Sequence, residues 1–275
     1  MTQAAVSYQI RLLEERLGVP LFVRSRQRVS LSDAGRKVAP LVSGAFDALS
    51  DAFSAILMDD QSVLTISTAQ TFASNWMAPR LGAFQVGRPE LAVRLLTQNR
   101  LVDFARDDVD VAIRIGRGPW PGLRQDFLMC VHATPMCTPE FRDRHGIDQP
   151  DRLLEVPRLN PEDIWWKQWF DAAGLSEGET RPGIRLDSQA MEGNAALAGH
   201  GVGMLTPLFW QSELEAKRLV QLFDLTIFEG PSYWLVYPEH KRTQPKIRHF
   251  RDWIIGQFEE LRRLGPQQAF LAPSC

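Results

Sequence analysis

The chain has 275 residues and a mass of 31.2 kDa, room for about two domains. With 44% hydrophobic and 23% charged residues it has the mix of a globular protein, which excludes wholesale disorder. No run reaches the roughly 18 consecutive apolar residues of a membrane span. The opening MTQAAVSYQIRLLEERLG carries charges where a secretion signal would be apolar. Three cysteines, Cys130, Cys137 and Cys275, are too few for a disulfide framework, so buried thiols and a cytoplasmic location are expected. The net charge of −2 hides an asymmetry: residues 1–37 carry +4 and the remainder −6, a small basic head on a mildly acidic body.

Val6, Ile10, Leu13 and Leu17 fall on one helical face, with Thr2 as cap and Gly18-Val19-Pro20 as stop. Leu21 to Leu31 reads as a short two-stranded ribbon whose tip carries Arg24, Arg26 and Arg28. Ser32 caps a long helix to about Met58, with Val38, Leu41, Ala45, Leu49, Ala52 and Ile56 near heptad spacing. Asp59-Asp60-Gln61-Ser62 is the natural domain boundary. Strands are then expected at Val63–Ser67, Leu91–Leu96 and Val109–Ile115, around a helix at Thr71–Phe84. A second αβ rhythm follows: an apolar run at Leu128–Ala133, helices at Thr138–His145, Ile164–Ala173 and Ser188–Ala198, and strands at Ile184–Leu186 and Val202–Leu205. Tyr233–Tyr237 reads as a late strand, Arg248–Leu261 as a late helix and 263–275 as a tail. The alternation predicts an α/β fold.

The run from Thr2 through Phe22, then Arg24 through Gly35, resembles the recognition helix, wing and linker-helix start of LysR-type transcriptional regulators. The likeness continues in Thr71-Phe72-Ala73, Trp76-Met77-Ala78-Pro79-Arg80-Leu81, Asp110-Val111-Ala112-Ile113-Arg114-Ile115-Gly116 and Gly199-His200-Gly201-Val202-Gly203-Met204-Leu205. It is strongest to the subgroup of the glycine-cleavage activator and the β-lactamase regulator. It implies a partial winged helix-turn-helix (1–32), a linker and dimerisation helix (33–60) and a two-lobe, periplasmic-binding-protein-like effector domain (63–262). Lobe I would hold 63–130 and 236–262, lobe II 131–235, with hinge crossovers near Cys130–Pro135 and Tyr233–Pro238.

A short-polar helix end can enter the major groove, where Gln3 and Ser7 reach base edges and Tyr8 a thymine methyl. Thr2 and Ala5 lie at the same end, and Arg11, Arg24, Arg26 and Arg28 are placed to meet phosphates. The family layout has two helices ahead of the recognition helix. Without them Val6, Ile10, Leu13 and Leu17 would face water, at roughly 1.5–3 kcal/mol each in lost burial. The expectation is a start set about 30 residues late, or a truncated gene, and a chain that as written binds DNA poorly.

In the effector domain, Ala69-Gln70-Thr71 and Asp187-Ser188 sit at strand-to-helix turns whose amides favour an anionic group; helix capping is the competing role for Thr71, Asp187 and Ser188. Asp103 enters by the resemblance, as a position relatives use near the cleft, and Tyr233 lies on the returning strand. The effector-binding set is thus Gln70, Thr71, Asp103, Ser188 and Tyr233. Gly199, Gly201 and Gly203 read as a tight helix-to-strand turn, and Trp165, Trp166 and Trp169 as lobe II core. The five histidines lack metal-ligand spacing, and no nucleophile elbow is present, so neither catalysis nor a cofactor is expected. Promoter DNA, a small anionic effector, RNA polymerase and one or three further copies of the chain are the expected partners, with no membrane. Two rival readings stand beside this one: an effector-binding or sequestering protein with a non-functional head, and an α/β enzyme using the interlobe cleft.

Overall fold

The computed structural model describes residues 3–24, 29–54, 63–98, 100–178, 182–228 and 230–263. Among them no helix is long and apolar enough to cross a membrane. The chain divides between Met58 and Asp59 into two compact units.

The first unit runs α1 (Gln3–Leu17), β1 (Phe22–Arg24), β2 (Val29–Leu31) and α2 (Asp33–Ser54). Gly18, at φ +70°, ends α1 in the left-handed conformation that glycine adopts without strain. One oxygen of Glu14 accepts the N–H groups of Leu21 and Phe22 at 2.7 and 3.0 Å, fastening the helix to the ribbon it leads into. β1 and β2 pair antiparallel, Phe22 opposite Leu31; the tip with Arg26 and Arg28 lies outside the described residues. Ser32 caps α2 as expected: its Oγ accepts the Gly35 N–H at 3.0 Å and donates to the Pro20 carbonyl at 2.6 Å. A Cβ on Gly35 would stand 2.1 Å from the Leu21 carbonyl oxygen, so this close approach requires glycine. The apolar row of α1 faces solvent, with Leu13 48% and Leu17 50% exposed, and Leu41 and Phe46 of α2 are exposed as well. The expected continuation of α2 to Met58 and the break at 59–62 lie outside the described residues.

The second unit begins with β3 (Val63–Thr68), a π-helical segment (Phe72–Met77), α3 (Ala78–Val86), β4 (Ala92–Thr97), β5 (Val111–Gly116) and β6 (Leu123–Cys130). It continues with β7 (Thr134–Cys137), α4 (Pro139–His145), α5 (Ile164–Ala172), α6 (Gln189–Leu197), β8 (Gly203–Leu205), α7 (Gln211–Glu215) and β9 (Val220–Gln221). β10 (Ser232–Pro238) and α8 (Pro245–Arg263) close it. One sheet has the order β4-β3-β5-β10-β6 and the other β8-β7-β9, the centres of two α/β lobes. In the first lobe Leu64, Ile66 and Ile113 are buried beneath Phe72, Trp76, Phe250, Ile254 and Phe258, and Trp76 stacks on Phe258 at 4.7 Å between ring centroids. In the second, Trp166 and Trp169 are fully buried and donate their indole N–H groups to the carbonyls of Leu159 and Leu225, both at 3.0 Å. They are core residues, as the sequence indicated.

Four details differ from the sequence reading. Ile184–Leu186 forms no ladder; Asn160 holds it instead, its N–H on the Ile184 carbonyl at 2.9 Å and its side chain bonded to both the N–H and carbonyl of Leu186. The apolar run Leu128–Ala133 is two things, the end of β6 and a crossover. The return crossover precedes Tyr233, since β10 already pairs with β5 and β6 from Ser232. Ala133 and Ile227 exchange reciprocal N–H to carbonyl bonds of 3.1 and 3.0 Å, and the Val131 N–H donates to the Pro231 carbonyl at 3.1 Å, so the two crossovers run hydrogen-bonded side by side. Cys137 is a buried free thiol, pushed up to about 12 by burial, whereas Cys130 is disulfide-bonded, contrary to the expectation of a free thiol.

Glu192 of α6 is a buried carboxyl. Its oxygens accept the Met204 N–H at 2.6 Å and the Asn160 amide at 3.0 Å, so it seats α6 against β8 and the loop that leads into the helix. Burial raises its pKa from 4.5 to about 8. The fold therefore retains a proton that the unfolded chain releases, and stability is fully present below pH 4.5 and lost as pH rises through about 8. Urea unfolding across that interval should show this decline, and Glu192→Gln, neutral at every pH, should flatten it. A Cβ on the neighbouring Gly193 would stand 2.0 Å from the Trp210 ring, so Gly193→Ala should destabilise by about 1–3 kcal/mol, read as a lower urea midpoint with unchanged slope.

Candidate ligand-binding cleft

β3, β4 and β5 run parallel, so their carboxyl ends lie together, the edge at which ligands bind in open α/β sheets. β3 delivers Ala69, Gln70 and Thr71 there. Gln70 is exposed, and its carbonyl accepts the Ser74 hydroxyl at 3.0 Å. Thr71 has helical backbone angles and its side chain caps nothing, which overturns the capping role for this residue. Its Oγ1 instead accepts the Ala190 N–H at 2.9 Å, 119 positions along the chain. Ala190 is the second residue of α6, so the bond joins the two lobes.

Ser188 is the α6 cap, its Oγ accepting the Met191 N–H at 3.3 Å. The next residue, Gln189, accepts the Thr206 N–H at 3.0 Å, and the Thr206 hydroxyl donates to the His132 carbonyl at 2.7 Å. The start of α6 is thereby tied to the end of β8 and to the first crossover. His132 is held down to about 4 by burial and is neutral at physiological pH.

Tyr233 sits on β10 opposite Ile115. Its ring packs on Phe72 at 5.4 Å and meets Phe209 edge-on at 5.6 Å, and burial raises its phenol. Thr71 is bonded to the residue two positions after Ser188, and Tyr233 packs on the residue after Thr71. Asp103 is not brought to them. Its carboxylate accepts the Ala105 N–H at 3.1 Å and faces Arg106 at 3.7 Å, and its own N–H donates to Asp107 at 2.9 Å. Asp107 is in turn gripped by Arg100 through two 2.7 Å bonds, which hold its carboxyl down to about 2.

The sequence reading missed Arg114, Gln98 and Ser67. Arg114 is 8% exposed and donates to the Ser67 Oγ at 3.0 Å and the Gln98 carbonyl at 3.3 Å, bracing the carboxyl ends of three strands; burial lowers its pKa. A guanidinium inside the apolar strand Val111–Ile115 was the available signal. Gln189 and Thr206 carried none, since isolated polar residues at element ends are common.

In the head, Ala5, Tyr8 and Arg11 are exposed and Ser7 half-buried. Thr2, Arg26, Arg28 and the side chains of Gln3 and Arg24 lie outside the described residues.

Residues 59–259 match the family model described as the LysR substrate binding domain, and residues 1–36 match the bacterial regulatory helix-turn-helix protein, lysR family. The chain is 34% identical over 265 residues to the HTH-type transcriptional activator AmpR of Providencia stuartii, covering 94% of this chain and 88% of that protein. It is 33% identical over 260 residues to the glycine cleavage system transcriptional activator of Escherichia coli K12, covering 94% and 85%. These relatives are named as regulators rather than enzymes. A solved effector-binding domain from Citrobacter freundii, carrying threonine-to-valine, serine-to-alanine and tyrosine-to-phenylalanine substitutions, superposes with a TM-score of 0.63 at 27% identity, covering 72% of this chain and all of that one. The chain belongs to the LysR family and is an effector-responsive transcriptional regulator, a helix-turn-helix segment joined to a two-lobe effector-binding domain.

Proposed function

We propose that the cleft at Thr71, Ser188 and Tyr233 is where this regulator reads its effector, and that the effector carries an anionic group. The observation that carries this reading is the Thr71 to Ala190 bond: it puts the residues after β3 and at the start of α6 on one spot, where helix N-termini favour negative charge. The Citrobacter domain was altered at one threonine, one serine and one tyrosine, in the same chain order and at closely similar separations as Thr71, Ser188 and Tyr233. Gln70, exposed beside Thr71, belongs to the rim of this site. Asp103 has a more distant part, ordering its own loop.

The lobes span 63–130 with the late segment, and 131 to the return crossover, and α2 is the linker that carries the effector signal to the head. Leu41 and Phe46, exposed in the single chain, suit packing against α2 of a second copy in a dimer or tetramer. The exposed residues of α1, with Gln3 and the arginines of the ribbon, form the DNA-facing surface. RNA polymerase is the partner through which promoter binding would alter transcription. A cytoplasmic location fits these activities.

A thermal-shift screen of amino acids, aromatic acids and muropeptides tests the effector reading. A true effector at 100-fold its dissociation constant stabilises by about 2.7 kcal/mol. Tyr233→Phe should weaken that effector roughly tenfold, the scale of one hydrogen bond to a charged group, with the melting temperature of the free protein little changed. Undiminished affinity in Tyr233→Phe and Ser188→Ala would overturn the site. For the head, any operator complex this chain forms should lose one phosphate contact in Arg11→Ala. The slope of log affinity against log salt in a gel shift should then flatten by about 0.9.

A further inference from the structure

A threonine just after a strand, entering a helix, ordinarily spends its hydroxyl on a local N–H group. Thr71 spends it on the other lobe. In the first turn of α6, the Met191 N–H goes to the Ser188 hydroxyl and the Glu192 N–H to the Ser188 carbonyl. The Ala190 N–H goes to Thr71, and both residues of this bond are 6% exposed. The bond is flanked by the aromatic seam of Phe72, Tyr233 and Phe209, where Phe72 meets Phe209 edge-on at 5.7 Å.

We propose that the Thr71 to Ala190 bond is a latch between the lobes, made from the effector site's own residues and broken when effector binds. An acceptor oxygen of a ligand that takes the Ala190 N–H in a linear bond displaces Thr71 Oγ1 from it, because the one proton can point straight at a single acceptor. A carboxylate is a stronger acceptor than an alcohol, so the exchange favours a carboxylate ligand, and the freed Thr71 hydroxyl can then donate to that carboxylate. The ligand replaces a bond between the lobes with bonds to itself, which releases one setting of the lobes and selects another. The ligand-exchange part of this inference rests on the cleft being the effector site; the latch itself is measurable without any effector.

The test is residue-resolved hydrogen exchange on the full chain, by NMR. Thr71→Val keeps the shape and removes the acceptor, so exchange at the Ala190 amide should rise about five- to tenfold, while the Met191 amide, held by Ser188, should not change. Thr71→Ser keeps the hydroxyl and should leave Ala190 protected. Equal exchange at Ala190 in wild type and Thr71→Val overturns the latch. So does an equal rise at Ala190 and Met191, which would report fraying of α6 rather than loss of one bond. Failure here would leave the Tyr233→Phe affinity result untouched, and failure to find any effector would leave this exchange result standing.

Discussion

What the cleft presents from its second side depends on where α6 begins, and one buried carboxyl fixes that. Glu192 reaches forward to the Met204 N–H and sideways to Asn160. Asn160 in turn holds the backbone of Ile184 and Leu186 just before the helix. A carboxyl in this environment is costly when charged, and its raised pKa is the trace of that cost. Without this brace the segment from Ile184 to Ser188, which has no ladder of its own, would have little to set its position. Ser188, Gln189 and Ala190 inherit their places from it.

The first side is built differently. Ala69 to Thr71 follow β3, which lies between its parallel neighbours β4 and β5 in a mixed sheet, and Arg114 ties the ends of these three strands by side-chain bonds. Behind them an aromatic seam joins Phe72 and Tyr233 to Phe209. The cleft is therefore a place where two independently stabilised edges meet.

Much of this was legible in the residues. The apolar spacing gave α1, α5 and α6 nearly to the residue and α8 short by three residues at its start and two at its end, Ser32 and Ser188 were caps, and Trp166 and Trp169 on α5 were core. Of the residues proposed for the site, Thr71 and Ser188 could be picked because strand-to-helix turns leave sequence marks, and Tyr233 because it lies on the returning strand. What escaped has a common cause. Ile184-Arg185-Leu186 alternates apolar and charged residues as a half-buried strand would, but strand formation needs a partner edge, and Asn160 had already taken those backbone groups. Leu128–Ala133 is continuous in hydrophobicity, yet a crossover between two lobes is buried just as a strand is, so polarity could not mark where β6 stopped. Arg114 and the Thr71 to Ala190 bond depend on positions far apart in the chain, which no local pattern encodes.

The paired crossovers carry a mechanical consequence. Two single strands linking two bodies would allow sliding, twisting and separation alike. Here Ala133 and Ile227 are bonded in both directions, and Val131 is bonded to Pro231. The two links then deform as one ribbon, which bends and twists readily but resists shear along its length. Motion between the lobes is thereby narrowed toward rotation about an axis at the ribbon. A rotation has its largest displacement at points farthest from that axis, so a small change at the cleft can be read out as a larger one at the outer helices.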